Sequence, residues 1–271
     1  MPELPEVETV VRGLRPVLVG RRFARVELHR EGLRFPFPAG LGQRLTGAAV
    51  TGVERRAKFG LVATDRGDTM VFHLGMSGRM RLDPPDRGKH DHAVFTLDDG
   101  HVVAFNDARR FGSLDLVATD ALASYPPLVP LGVEPLGPDL TPAYLAMRFA
   151  GRTVPVKPLL LDQRIVAGLG NIYACEALFL ARIDPRRAAG SVSRAKLERL
   201  VPAIRATLEA SIAAGGSSLR DHAQVDGTLG YFAHSFRVYG REGLPCPAGR
   251  GTVRRIVQGG RSTFFCPAVQ R

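Results

Sequence analysis

A Pro- and Gly-rich stretch, PPLVPLGVEPLGPDL at 126–140, divides the chain into two parts whose apolar residues repeat with different periods. A run of strand-like segments followed by a run of helical ones points to an α+β chain built in separate parts, not to an interleaved α/β layer. Before the break, from about 21 to 116, short stretches rich in Val, Phe and Leu alternate with turn signals: FARVELH, AAVTGVERR, GLVATD, MVFHLG, AVFTLDDGHVVAF and SLDLVAT. That spacing predicts a β-sandwich or barrel. Asp99-Gly100 predicts a tight hairpin. Ahead of the strands, Val7, Val10, Val11, Leu14 and Leu18 recur at helical spacing and predict a helix over 4–18, with Pro5 in its first turn. Glu6 and Glu8 near its start and Arg12 and Arg15 near its end match the helix dipole.

After the break, 141–237 reads as mainly helical. Thr141-Pro142 opens one helix, and SVSRAKLERLVPAIRATLEASIAA is a long amphipathic stretch that Pro202 is expected to kink or break. Residues 238–271 return to strands, with VRRIV and STFF flanking a turn at Gln258-Gly259-Gly260-Arg261. The expected division is 1–132 for the helix and β-sandwich, 133–140 for a linker, 141–237 for a helical domain and 238–271 for a terminal β-hairpin.

The 271 residues are 45% apolar and 23% charged, as in an ordinary globular chain. No apolar run approaches the roughly 18 residues of a membrane span, so no membrane association is expected. The start, MPELPEVETV, is acidic and lacks the basic n-region and apolar core of a signal peptide. Three cysteines exclude a disulfide-built secreted scaffold. A reducing cytoplasm is the expected compartment. Thirty-seven Lys and Arg against 26 Asp and Glu give a net charge of +11. Such a field favours polyanions, although an Arg-rich codon bias would produce the same excess.

Pro2 has the most distinctive chemistry. With Met1 removed it is a free secondary amine, and an α-amino group has a reference pKa near about 8. The positive end of the helix that follows disfavours its protonation. A neutral amine near pH 7 is a nucleophile that forms an iminium with a sugar C1′. Glu3 beside it is placed to shuttle protons. The plainer reading, that Pro after Met is common and acids are frequent at helix starts, stands beside this one.

Five segments occur in order: MPELPEVETV, HLGMSGRMR at 73–81, NDARRFG at 106–112, LLLDQRIVAGLGNIYACEALF at 159–179, and GGRSTFFC at 259–266. Together they resemble the formamidopyrimidine-DNA glycosylase family, also called 8-oxoguanine DNA glycosylase/AP lyase, over essentially the whole chain. The resemblance implies a bifunctional base excision repair enzyme that removes 8-oxoguanine and formamidopyrimidines. Its N-terminal proline forms a Schiff base at C1′, and β- and δ-elimination then nick the strand. Pro2 takes the nucleophile role and Glu3 the proton-transfer role. Lys58 matches the lysine of β-elimination and Arg261 the hairpin arginine of δ-elimination. Met76, Arg109 and Phe111 match the side chains that fill the void left by the everted base, with Ala108 where Pro is usual. His73, His92, Arg110, Arg152, Lys157, Asn171 and Tyr239 match phosphate- and DNA-facing positions. His92 also belongs to an HDH triplet that, taken alone, reads as a metal motif or as a satisfied histidine.

Residues 159–179 resemble the family's helix–two-turns–helix motif, with Gly168 and Gly170 permitting tight turns. Residues 215–240 resemble the loop that covers an everted 8-oxoguanine. The implied partner is double-stranded DNA carrying oxidised purines or abasic sites, bound by a monomer. Two other readings stay open: an endonuclease VIII-like glycosylase for oxidised pyrimidines, and a lesion-binding protein without catalysis.

The family ends in C-x2-C-x16-C-x2-C, a four-thiolate zinc finger. Here those positions are Cys246, Gly249, Cys266 and Val269. Gly and Val offer no side-chain donor, and a structural zinc site wants four ligands. A zincless hairpin without any cofactor is therefore expected, held by cross-strand packing of Val253, Ile256, Val257, Phe264 and Phe265. A Cys246–Cys266 disulfide is disfavoured by a reducing compartment.

Overall fold

The computed structural model describes residues 2–217 and 224–271. The chain forms two compact units, Met1–Val129 with Ala214–Tyr231, and Pro130–Ala213 with Phe232–Arg271. These boundaries differ from those read in the sequence. The segment 214–231 returns to the first unit, and the terminal hairpin is part of the second.

The first unit opens with α1 (Leu4–Leu18), followed by β1 (Phe23–Leu28) and the short α2 (Leu41–Leu45). Then come β2 (Val50–Arg56), β3 (Phe59–Thr64), β4 (Asp68–His73), β5 (Arg79–Leu82), β6 (Asp91–Leu97), β7 (Val102–Asn106) and β8 (Ser113–Ala118). They make two four-stranded sheets, ordered β1-β6-β7-β5 and β2-β3-β4-β8, in a β-sandwich-like arrangement. Every pairing is antiparallel. The apolar stripe of α1 joins Phe23, Phe72, Phe95 and Phe105 in one core. Each such aromatic contributes about 1.5–3 kcal/mol by burial. The turn at Asp99-Gly100 forms as expected, with Gly100 at φ +93°.

Val225 belongs to this core too. Its carbonyl accepts the Leu82 N–H at 2.7 Å. A methyl of Val225 lies 2.6 Å from where a Cβ on Gly13 would be, so only glycine fits at that point of α1.

The second unit contains α3 (Pro142–Phe149), α4 (Val156–Leu160), α5 (Asn171–Leu180) and α6 (Arg194–Ala213), then the hairpin of β9 (Arg254–Gln258) and β10 (Arg261–Phe265). The Thr141 side chain caps α3 by accepting the Tyr144 N–H at 3.0 Å. Helix α6 runs through Pro202 without a break. Its buried Leu197, Leu200, Val201, Ile204 and Leu208 anchor both sides of the proline, which offsets one missing hydrogen bond. α5 is buried nearly all round.

The hairpin turns at Gly259 and Gly260, both at positive φ. Its packing differs from expectation. Phe264 and Phe265 face Arg255 and Arg254 across the strands, and Val257 is 66% exposed. The hairpin instead packs through β10, with Phe264 clustering with Val253, Val238, Cys175 and Phe179 of α5. Alternation within one strand shows two faces but not which one meets a neighbour.

Candidate active site and nucleic-acid interface

In the first unit, Pro2 and Glu3 are both buried at the start of α1. Glu3 is the N-cap in a capping box with Glu6. Glu6 Oε2 accepts the Glu3 N–H at 2.9 Å. Its Oε1 accepts both the N–H and the hydroxyl of Ser217, each at 2.9 Å. One buried carboxylate therefore ties the backbone next to Pro2 to Ser217. Glu6 was read in the sequence only as a helix-start acid. The covering loop expected over 215–240 includes residues 218–223, which lie outside the described residues.

Lys58 is buried in the two-residue turn between β2 and β3, where Ala57 takes φ +53°. The turn sets Phe59 opposite His73 of β4 in the sheet register, with their rings 4.9 Å apart. His73 Nδ1 accepts the Gly75 N–H at 3.0 Å, so the ring proton is assigned to Nε2, which is left as a donor. Burial first, then the charges of Lys58 and Arg34, push the His73 pKa down to about 4. Lys58 and Arg34 thus make a region of positive potential suited to an anion, into which the neutral His73 offers only an N–H donor. Arg34 carried no sequence signal beyond its charge.

The depressed His73 pKa has a consequence for stability. Between pH 6.5 and about 4 the unfolded chain binds a proton that the folded chain does not. Stability is fully present above pH 6.5 and falls as the pH drops through that window. Urea unfolding of wild type should therefore lose more stability between pH 6.5 and 4 than unfolding of His73→Gln. Equal pH slopes would contradict this placement.

Met76 and Phe111 are exposed apolar side chains, at 38% and 45%. Arg109 is exposed with its guanidinium 5.0 Å from the centroid of the Phe111 ring. Arg110 is exposed at φ +61°. A cation beside an aromatic on a protruding loop suits stacking and hydrogen bonding to bases. His92 is buried, and its Nε2 bonds the Asp107 carbonyl at 2.8 Å beneath that loop. Its neighbour Asp91 is occupied by Arg81, Gly88 and Asn106. Asp91 and His92 are therefore spent on structure, and among the described residues no group of three or more His, Cys, Asp or Glu could hold a metal.

In the second unit, α4 and α5 flank two turns. Gln163 holds both: its amide donates to the Leu161 and Leu169 carbonyls, and its oxygen accepts the Gly168 N–H. Asn171 opens α5, and its Nδ2 donates to the Ser262 carbonyl at 2.9 Å. Lys157, expected to face DNA, is fully buried. Its ammonium donates to Thr263 Oγ1 at 2.6 Å and to the Ser262 carbonyl at 3.1 Å. Lys157 and Asn171 thus converge on the residue next to Arg261, which stays exposed at the turn. Spacing along the chain could not show that β10 returns to meet them.

Arg152 is exposed in the turn after α3. Tyr239 packs its ring 5.0 Å from Phe264. The fully buried Glu176 accepts the N–H groups of Arg237, Val238 and Tyr239, each at 2.9 Å. Glu176 therefore sets the approach to the finger, although in the sequence it was one charge inside an apolar helix.

Cys246 and Cys266 form a disulfide with their Cα atoms 6.1 Å apart, within the span such a bond requires. This corrects the expectation of two free thiols. The physical reason is proximity: the fold brings together two cysteines 20 residues apart in the chain. The donor set does not fit zinc, because the two sulfurs are bonded to each other and Gly249 and Val269 offer nothing.

Comparison with known proteins places the chain. Residues 1–114 match the Formamidopyrimidine-DNA glycosylase N-terminal domain, and residues 131–223 match the Formamidopyrimidine-DNA glycosylase H2TH domain. Formamidopyrimidine-DNA glycosylases of Novosphingobium aromaticivorans and Rhizorhabdus wittichii are 65% and 61% identical, over the whole of both chains. The crystal structure of the Fpg (MutM) protein of Thermus thermophilus superposes with a TM-score of 0.89 at 42% identity, covering 99% of this chain and 98% of that one. The Lactococcus lactis Fpg in complex with abasic-site DNA gives 0.91 at 32%, covering both chains fully.

Proposed function

The chain belongs to the formamidopyrimidine-DNA glycosylase family, and from that premise we propose that Pro2 carries its chemistry as the nucleophile. The protein is a base excision repair glycosylase that acts on oxidised purines, and its partner is DNA carrying the damaged base or an abasic site. Among the described residues no helix is long and apolar enough to cross a membrane.

The reaction assigns a job to each residue. The neutral Pro2 nitrogen gives its lone pair to C1′, the glycosidic bond breaks, and the base leaves with that electron pair and takes up a proton. Glu3 manages proton transfer at the sugar. Pro2 then gives up its N–H proton, the C1′–O4′ bond breaks and O4′ takes up a proton, which leaves the opened sugar as an iminium. This is an electron sink, so loss of a C2′ proton expels the 3′ phosphate, assisted by Lys58. A second elimination expels the 5′ phosphate, assisted by Arg261. Hydrolysis then frees Pro2. Met76, Arg109 and Phe111 enter the stack as the base leaves it. The observation that carries this reading is the amine-bearing end of α1, with Glu3 beside it and its backbone clamped by Glu6.

Borohydride trapping tests it. Wild type should form a covalent complex with a duplex holding one 8-oxoguanine opposite cytosine. A complex only with oxidised-pyrimidine DNA would move the substrate, and the Lactococcus lactis Fpg has been crystallised with such DNA. No complex on any lesion or abasic site, with binding intact, would leave a non-catalytic lesion binder.

We also propose that the enzyme works without metal or other cofactor, as a cytoplasmic monomer. The finger is held without zinc by the packing of Phe264 on Val253, Val238, Cys175 and Phe179, so it does not depend on the Cys246–Cys266 bond persisting in a reducing cytoplasm. Treatment with a strong chelator should therefore leave the melting temperature and excision rate unchanged. Stoichiometric zinc in freshly purified protein would overturn this.

A further inference from the structure

Asp107 is fully buried, and its carboxylate joins two loops. Oδ1 accepts the Ser77 hydroxyl at 2.6 Å and the Arg109 N–H at 3.3 Å. Oδ2 accepts the Gly112 N–H at 2.7 Å. Ser77 Oγ accepts the Arg109 N–H in turn, at 3.1 Å. One loop carries Met76, and the other carries Arg109 and Phe111. Among the described residues no basic side chain pairs with this carboxylate, so its charge is met by hydroxyl and backbone donors. Its own backbone is pinned as well. The Asp107 N–H donates to the His90 carbonyl at 3.0 Å, and its carbonyl meets His92 Nε2.

The two loops also touch directly. A Cβ on Gly75 would lie 2.4 Å from the Phe111 carbonyl carbon, so the backbones approach too closely for any side chain there. The Gly112 carbonyl accepts the Arg34 N–H from a third loop at 3.2 Å. A loop that carries Arg110 at positive φ and exposes Phe111 relies on the buried acceptors beneath it.

We propose that Asp107 is a positioning residue for lesion opening. It locks the Met76 loop to the Arg109–Phe111 loop, so that the three side chains enter the helix as one rigid body. The proposal rests on the glycosylase reading above. It predicts that loss of Asp107 harms extraction of a stacked base and spares the amine chemistry, which uses other residues.

The test compares wild type with Asp107→Asn and Ser77→Ala on two substrates. The asparagine keeps the shape but puts an N–H₂ against one of the donors that Asp107 accepts. Excision of 8-oxoguanine from duplex DNA in single turnover should fall by up to about 10²-fold in Asp107→Asn. The fall should be smaller in Ser77→Ala, and the double variant should be no worse than Asp107→Asn. A 2-aminopurine next to the lesion should show slowed opening to the same degree. Borohydride trapping on a single-stranded abasic oligonucleotide, where nothing has to be unstacked, should stay within about twofold of wild type. Duplex excision at the wild-type rate in both variants would overturn the proposal. So would equal losses on duplex and single strand in folded protein. If Asp107→Asn does not fold, Ser77→Ala alone decides, by whether its loss is confined to the duplex. Absence of trapping by wild type on either substrate would instead defeat the glycosylase reading itself.

Discussion

Replacing Pro2 by glycine should abolish the borohydride-trapped complex and lower 8-oxoguanine excision by about 10³-fold or more, while leaving duplex affinity within a few-fold of wild type. A secondary amine gives an iminium that carries a fixed positive charge and pulls electrons from C2′. A primary amine gives an imine that must be protonated first, on a terminus no longer held by the proline ring. The buried start of α1 and the Glu6 clamp position this one nitrogen, and no neighbouring amine replaces it in the sequence MPELPEVE. An N-terminal extension that blocks the nitrogen should reproduce the loss. Circular dichroism and a binding isotherm on the same preparations separate lost chemistry from lost fold. A Pro2→Gly enzyme that still traps at the wild-type rate would remove Pro2 from the mechanism.

The second large effect is in binding. Affinity for duplex DNA should fall about 10³–10⁵-fold between 50 and 200 mM salt, for roughly 6–10 phosphate contacts. The net charge of +11 supplies the field. On the proposed reading, exposed Arg109, Arg110, Arg152 and Arg261 are among the contacts, together with Lys58 and Arg34. Replacing Arg152 by alanine should lower the slope of log affinity against log salt by about one, whatever the DNA sequence. An affinity flat over that salt range would mean that phosphates contribute little, and the basic residues would need another explanation.

Much of the local structure was legible in the residues. The 3.6-residue spacing of Val7, Val10, Leu14 and Leu18 produced α1, and Asp99-Gly100 and Gly259-Gly260 produced two tight turns. These features depend on neighbours within one or two turns of chain, so the sequence carries them directly. Five motifs in order carried the family. Other features failed to show because their partners are distant. The reason for Gly13 is Val225, more than two hundred residues away. Val257 looked like a packing residue and is exposed, because strand alternation does not say which face meets a helix.

The same division holds for the site. Legible in the residues were the candidate amine and carboxylate at the N-terminus, the place of Met76, Arg109 and Phe111 in segments that resemble the family's, and the absence of two zinc donors. The folded chain assigns the buried polar groups their partners. It turned Lys157 from a DNA-facing lysine into a clamp on Ser262 and Thr263. It gave Glu6, Asp107 and Glu176 to backbone and hydroxyl donors in other loops, and joined Cys246 to Cys266. A buried polar group must find a partner wherever the fold brings one, because leaving it unpaired costs about 1–3 kcal/mol or more. That partner is chosen in space, by chain segments whose separation in sequence carries no mark of it.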